Sequence, residues 1–148
     1  MVASLATMDE GLRQVLVEVG RHYGERLLAA ALFGSRVRPH PRADADWDLL
    51  LVLRSEEPIR RSLYEEWARS LEPRLETLLR DVSPKFVHLP ELGAEPTGLW
   101  LEIATAHEVL SDRSRRLAGY LAEVRGSIVR GQFESSEVHG VRYWRRAG

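Results

Sequence analysis

The chain has no cysteine. Disulfides and thiolate metal sites are excluded, and the absence fits a reducing compartment. Lysine is almost missing too: Lys85 is the single one, and the other members of the Lys+Arg set are arginines. A GC-rich genome accounts for such a bias, and so does a demand for bidentate phosphate binding; composition does not separate the two. No apolar run approaches the ~18 residues that cross a bilayer. A basic segment followed by an apolar one, the mark of a signal peptide, is not seen at the N-terminus, so cytoplasm is the expected location. Charge of one sign is also lacking. The formal net charge is −1, which argues against a nucleic-acid footprint. Internal repeats and low-complexity tracts are absent. What remains is a 148-residue chain, 44% hydrophobic and 29% charged, which predicts one domain with a single sizeable core.

The stretch from Leu32 to Leu53, LFGSRVRPHPRADADWDLLLVL, organises the rest. The apolar run Leu27 to Phe33 breaks off at Gly34-Ser35. A loop stiffened by Pro39 and Pro41 follows, then Asp44, Asp46 and Asp48 at alternate positions, then the apolar run Leu49 to Leu53. Acids two apart at the mouth of a buried strand point the same way, about 6.6 Å apart. That geometry suits two carboxylates gripping Mg²⁺ ions for phosphoryl or nucleotidyl transfer. A merely solvated acidic loop is the duller reading, but acids abutting an apolar strand make costly decoration. Gly34-Ser35 reads as the turn into a short helix, where glycine permits close backbone approach and exposed N–H groups can hold an anion. Arg36 and Arg38 add positive charge beside it.

In chain order, Thr7 to Glu10 reads as a capping box. It opens a helix with Leu12, Val15, Leu16, Val19 and Tyr23 at helical spacing, ended by Gly24. His22, in its last turn, is assigned a structural role. Leu27 to Phe33 and Trp47 to Leu53 read as strands covered on both faces. Ser55 with Glu57 and Pro58 is expected to start a helix carrying Leu63, Trp67, Leu71, Leu75 and Leu78, split by Pro73 near Glu72. Val82 to Leu89 is a third strand, Leu99 to Ala106 a helix, and Val109-Leu110 a short extended piece. Asp112 caps a last long helix that Gly131 ends. The tail, Ser135 to Gly148, sets Tyr143 and Trp144 among Arg142, Arg145 and Arg146; packing back on the domain is weighed against contact with a partner or nucleic acid.

Gly34-Ser35-Arg36-Val37-Arg38, followed after the loop by Asp44-Ala45-Asp46-Trp47-Asp48, resembles the minimal nucleotidyltransferases of the DNA polymerase β-like superfamily. The element order to about Leu89 agrees as well. The resemblance implies an α+β nucleotidyltransferase fold: a small mixed sheet flanked by helices over residues 1–92, with a C-terminal helical extension, 93–148, in the same domain. It implies that Asp46 and Asp48 bind Mg²⁺, in a two-metal site. Gly34 and Ser35 would hold the β- and γ-phosphates of ATP or another NTP, and Arg36 or Arg38 would neutralise them. An acceptor hydroxyl would take the NMP, plausibly AMP, on a HEPN-domain partner protein or a small molecule. Asp44 reads as a residue that fixes the loop. Homo-oligomers are compatible with this reading; a membrane partner is not expected.

The family pattern is incomplete here. A third carboxylate usually stands on the next strand, and Ser83-Pro84-Lys85-Phe86-Val87-His88-Leu89 has none. Lys85 or Phe86 takes its expected place, and Asp81 and Glu91 only flank the strand. Lys85 is open to phosphate contact and His88 to service as a base, against an edge lysine and an ordinary polar strand position. Two functions from different classes follow: a Mg²⁺-dependent nucleotidyltransferase, or a catalytically weak, antitoxin-like subunit that masks a HEPN partner.

Overall fold

The Asp9 carboxylate accepts hydrogen bonds from the N–H groups of Gly11 and Leu12, and this cap sets the start of the first helix, α1, Glu10–Tyr23. The computed structural model describes residues 9–39, 44–91 and 93–148. Thr7, the expected cap, lies outside them. A 3-10 turn, Gly24–Arg26, leads into β1, Leu27–Phe33. A second short 3-10 turn, Ser35–Val37, precedes β2, Trp47–Leu53. Then come α2, Arg61–Glu66, a π-helical turn, Trp67–Leu71, and α3, Glu72–Leu75. The chain continues with β3, Val82–His88; α4, Gly98–Thr105; β4, His107–Asp112; and α5, Arg116–Val129. A hairpin closes it: β5, Phe133–Val138, and β6, Val141–Arg146.

The main sheet has the order β3-β2-β1-β4. β1 runs antiparallel to both neighbours, and β2 and β3 are parallel. Period-two alternation divides the strand residues between two cores. Ala30, Leu32, Leu49, Leu51, Leu53 and Phe86 face α1 and the α2–α3 segment, against Val15, Val19, Trp67 and Leu71. Ala29, Ala31, Leu50, Val52 and Val87 face α4, α5 and the hairpin, against Ile103, Leu117, Leu121 and Phe133. Leu49 to Val52 are fully buried, as strands sandwiched between helices should be.

Several expectations needed revision. The helix expected from Ser55 begins only at Arg61, because Ser55 to Glu57 form a turn in which the Glu57 N–H bonds the Arg54 carbonyl. The break near Glu72 is real: Pro73 brings no N–H, and the ladder loosens into the π turn before α3 restarts. Val109-Leu110 is extended as expected, but as the middle of a longer strand, β4, a full sheet member paired to β1. Asp112 closes that strand and also caps α5, accepting from the N–H groups of Leu117 and Ala118 at 3.3 and 2.8 Å.

The tail is a β-hairpin turned by His139-Gly140, both at positive φ, the geometry of a type I′ turn. Its inner face packs Phe133 and Trp144 onto the second core. Its arginines face glutamates: Arg142 meets Glu102, Arg145 meets Glu134 and Arg146 meets Glu95. Among the described residues, no helix is long and apolar enough to cross a membrane.

Candidate active site

Gly34 and Asp48 meet because β1 and β2 pair Phe33 with Asp48 at the end of the sheet. Gly34 has φ 81° and ψ −158°, a conformation L side chains rarely adopt. A Cβ at this position would collide with Asp48 Oδ2 and stand 3.1 Å from its Cγ. Only glycine lets the turn and the carboxylate share that space. Beyond Gly34 the chain makes three residues of 3-10 turn, with the Val37 N–H on the Gly34 carbonyl and the Arg38 N–H on the Ser35 carbonyl.

Asp48 is half-buried and Asp46, just ahead of β2, is exposed. Burial first, and then the charge of Asp46, pushes the Asp48 carboxyl above the usual aspartate range. Among the described residues neither carboxylate has a cationic partner in an ion pair. Two acids close enough to repel, one of them desolvated, form a donor set that fits a divalent cation. Mg²⁺ in particular takes one or two protein carboxylates and completes its shell with water and phosphate oxygens. No group of three or more acidic, His or Cys side chains able to hold a metal occurs among the described residues.

The two arginines of the motif do different things. Arg36 donates from Nε to the Ala45 carbonyl at 2.9 Å, and its guanidinium stacks on the Trp47 ring, 4.4 Å from the centroid. Those contacts tie Arg36 to both neighbours of Asp46, the Ala45 backbone and the Trp47 side chain. Arg38 reaches across to α4 and donates to Glu102 at 3.1 Å. It lines a cleft of about 450 Å³ that begins at Phe33 and Gly34 and ends at Arg142, Tyr143 and Trp144 of the hairpin. Asp44 sits two residues before Asp46 at the exit of the loop and is exposed. Pro41 lies outside the described residues.

Register corrects the expectations for the third strand. Asp48 stands opposite Ser83, while Lys85 lies against Leu50 and Phe86 against Leu51. Ser83, not Lys85 or Phe86, therefore occupies the position beside the second acid. Lys85 is exposed on the edge strand. Asp81, at φ 61°, contributes its carbonyl to the Trp47 N–H. His88 pairs with Leu53 at the other end of the sheet, and its Nε2 meets the Glu57 carbonyl at 2.6 Å. It is too far along the strand to act as a base on anything held by Asp48. Glu91 lines a separate cavity beyond that far end.

Two residues near the site, Glu102 and His107, were not singled out in the sequence, and Arg142 was read only as part of the basic tail. Glu102 is the lone charge in the apolar helix GLWLEIAT, a signal visible in the sequence. Arg142 alternates with apolar residues in β6, which only a strand assignment reveals. His107 stands opposite Phe33 at the site end of the sheet, its Nδ1 2.7 Å from the Ile103 carbonyl. A carbonyl only accepts, so Nδ1 carries the hydrogen there.

No family model and no curated protein matches the chain. Solved structures do. A chain from a mutant of a toxin–antitoxin pair, MntA-HpeT, aligns with TM-score 0.52 at 15% identity, covering 80% of this chain and 88% of that one. A toxin–antitoxin crystallised with AMP-PNP aligns with TM-score 0.52 at 17% identity, over 80% and 88%. A second MntA-HpeT mutant gives TM-score 0.50 at 17% identity, over 81% and 88%. The shared architecture is the α+β nucleotidyltransferase fold, a mixed sheet of four strands flanked by helices.

Proposed function

We propose that the chain is a nucleotidyltransferase of the minimal type that moves an NMP, AMP from ATP in the first instance, onto an acceptor hydroxyl. The observation that carries this reading is the Asp48 carboxylate, raised by burial and by Asp46, lying against a glycine turn with no room for a Cβ. Asp46 and Asp48 would hold Mg²⁺, which when bound neutralises phosphate charge. Gly34 and Ser35 cup the β- and γ-phosphates, Arg38 supplies countercharge, and Arg36 keeps Asp46 in place. The acceptor oxygen forms a bond to the α-phosphorus as the bond to the β-phosphate oxygen breaks, and pyrophosphate leaves. The hydroxyl proton passes to water or to a group the acceptor brings. Orientation and electrostatics carry such a step. The toxin–antitoxin neighbours, one crystallised with AMP-PNP, support a HEPN-type partner protein, and we take that partner as the acceptor.

The test is pyrophosphate release from ATP and Mg²⁺ with a HEPN partner present. Turnover by the wild type, lost in Asp46→Asn and Asp48→Asn, is expected. Ser83 in the place beside Asp48 favours one second reading, an antitoxin-like subunit that masks its partner without turnover. That reading wins if wild type and both variants mask the partner equally and none transfers a nucleotide.

A further inference from the structure

The C-terminal hairpin reaches the mouth of the site. Glu102 sits between two guanidinium groups: Arg38 donates to its Oε2 at 3.1 Å, and Arg142 Nε lies 3.5 Å from its Oε1. Both arginines line the cleft that opens at Gly34. Two cations on one carboxylate leave a net positive charge there. The Trp144 side chain closes one wall of the same cleft, packed on the second core. The cleft thus offers two converging guanidinium groups, runs from the turn assigned to the phosphates, and has a volume in the range of small-molecule sites.

We propose that Arg142, on β6, is a binding residue for the polyphosphate of the nucleotide, and that Glu102 holds Arg142 and Arg38 in readiness until the phosphates displace it. This rests on the nucleotidyltransferase reading and adds the hairpin to its site. Arginine presents a planar fork that matches a phosphate as well as a carboxylate, so exchanging partners costs no change of geometry. Arg142 is itself steered by Trp144, whose ring lies 5.7 Å from its guanidinium carbon.

The two ends of the Glu102 contact make the idea testable, because a phosphate ligand and a mere hairpin latch predict opposite signs. Binding of AMP-PNP with Mg²⁺, of inorganic tripolyphosphate with Mg²⁺ and of adenosine alone is measured by calorimetry on the full chain. Arg142→Ala is expected to weaken AMP-PNP and tripolyphosphate on the order of tenfold to a hundredfold and to leave adenosine unchanged. Arg142→Lys, which keeps the charge and stem and guards against misfolding, recovers part of the loss. Glu102→Gln removes the competing carboxylate and tightens both phosphates severalfold. If Arg142→Ala and Glu102→Gln weaken binding alike, Glu102 and Arg142 only fasten the hairpin and the inference falls. It also falls if neither variant changes binding while Asp48→Asn abolishes it, an outcome that leaves the nucleotidyltransferase reading standing. A wild type that binds neither phosphate ligand overturns both.

Discussion

Two carboxylates in this molecule, Glu66 and Asp48, are both partly buried and live in opposite electrostatic worlds. Glu66 ends α2 and is held from two sides: His22 Nε2 at 2.6 Å and Arg26 at 2.9 Å, both on Oε2. The Arg26 hydrogen bond, followed by that from His22, keeps its carboxyl below the ordinary glutamate value despite burial. Asp48 gains no such partner. Burial and the like charge of Asp46 hold its carboxyl above the ordinary aspartate value. The fold has settled one acid in place and left the other under tension at the end of its central strands. A charge kept out of water without a partner is the costly case, so a chain that retains it has a use for it.

The sharpest way to break this contrast is to neutralise Asp48. On the proposed reading, Asp48→Asn loses on the order of a hundredfold or more in nucleotide transfer, measured as pyrophosphate release. The same change is expected to raise the melting temperature of the ligand-free protein, because it removes a desolvated charge that faces Asp46. Added Mg²⁺ and AMP-PNP should then stabilise the wild type but not the variant. Activity retained in Asp48→Asn, or a lowered melting temperature, would sink the assignment.

Gly34 is where the strain around Asp48 is set. Gly34→Ala puts a methyl group into the space of Asp48 Oδ2 and forces an L residue to φ 81°. The expected cost is about 2 kcal/mol of stability, with the carboxylate displaced. Chemical denaturation measures the first, and loss of Mg²⁺-dependent nucleotide binding reports the second. A variant as stable and as competent as the wild type would mean that the turn and the acid are not coupled.

Much of this frame was legible because it rests on local rules. Unbroken apolar runs ending in Gly-Ser and in alternating acids announce two buried strands and what lies at their mouths. Pro73 announced its break by the hydrogen bond it cannot make. The parts that escaped depend on register and on long-range pairing. Whether Ser83 or Lys85 stands beside Asp48 turns on how two parallel strands slide, and nothing within either strand fixes that. The hairpin escaped because its outer face exposes Val138, Val141 and Tyr143 while Arg142 turns inward beside Trp144, which blurs the usual apolar-in alternation. His139-Gly140 was its one local sign. Glu102 matters through Arg38, 64 positions earlier, and Arg142, so its role emerges only when three elements meet.

Glu66 supplies the other arm of the comparison. Glu66→Gln leaves His22 and Arg26 without their shared anion. With the Glu66 side chain 26% exposed, the loss is expected at about 1 kcal/mol, between a solvent-exposed pair and a buried one. A double-mutant cycle with Arg26→Ala isolates the coupling. A change within error of zero would mean that the bridge is surface decoration and that the two acids differ less than their surroundings suggest.

The smallest effect, and the most direct reading of the contrast, is in the pH dependence of stability. Glu66 has its carboxyl lowered from an ordinary value of 4.5, so its contribution is present above that value and is lost as pH falls through its lower, folded value. Asp48 has its carboxyl raised from 3.8, so the ionised form is disfavoured in the folded protein. Its penalty is in force at neutral pH and is relieved as pH falls through its raised value. The two substitutions should therefore approach the wild type from opposite sides on acidification. Glu66→Gln is less stable at neutral pH, and its deficit shrinks below the ordinary glutamate value. Asp48→Asn is more stable at neutral pH, and its advantage shrinks as pH falls through the raised Asp48 value toward the ordinary aspartate value. Denaturation midpoints across the acid range test this. If the two difference curves share a sign, then Asp48 is not the strained acid of the pair, and the electrostatic case for a cation at the end of β2 is lost.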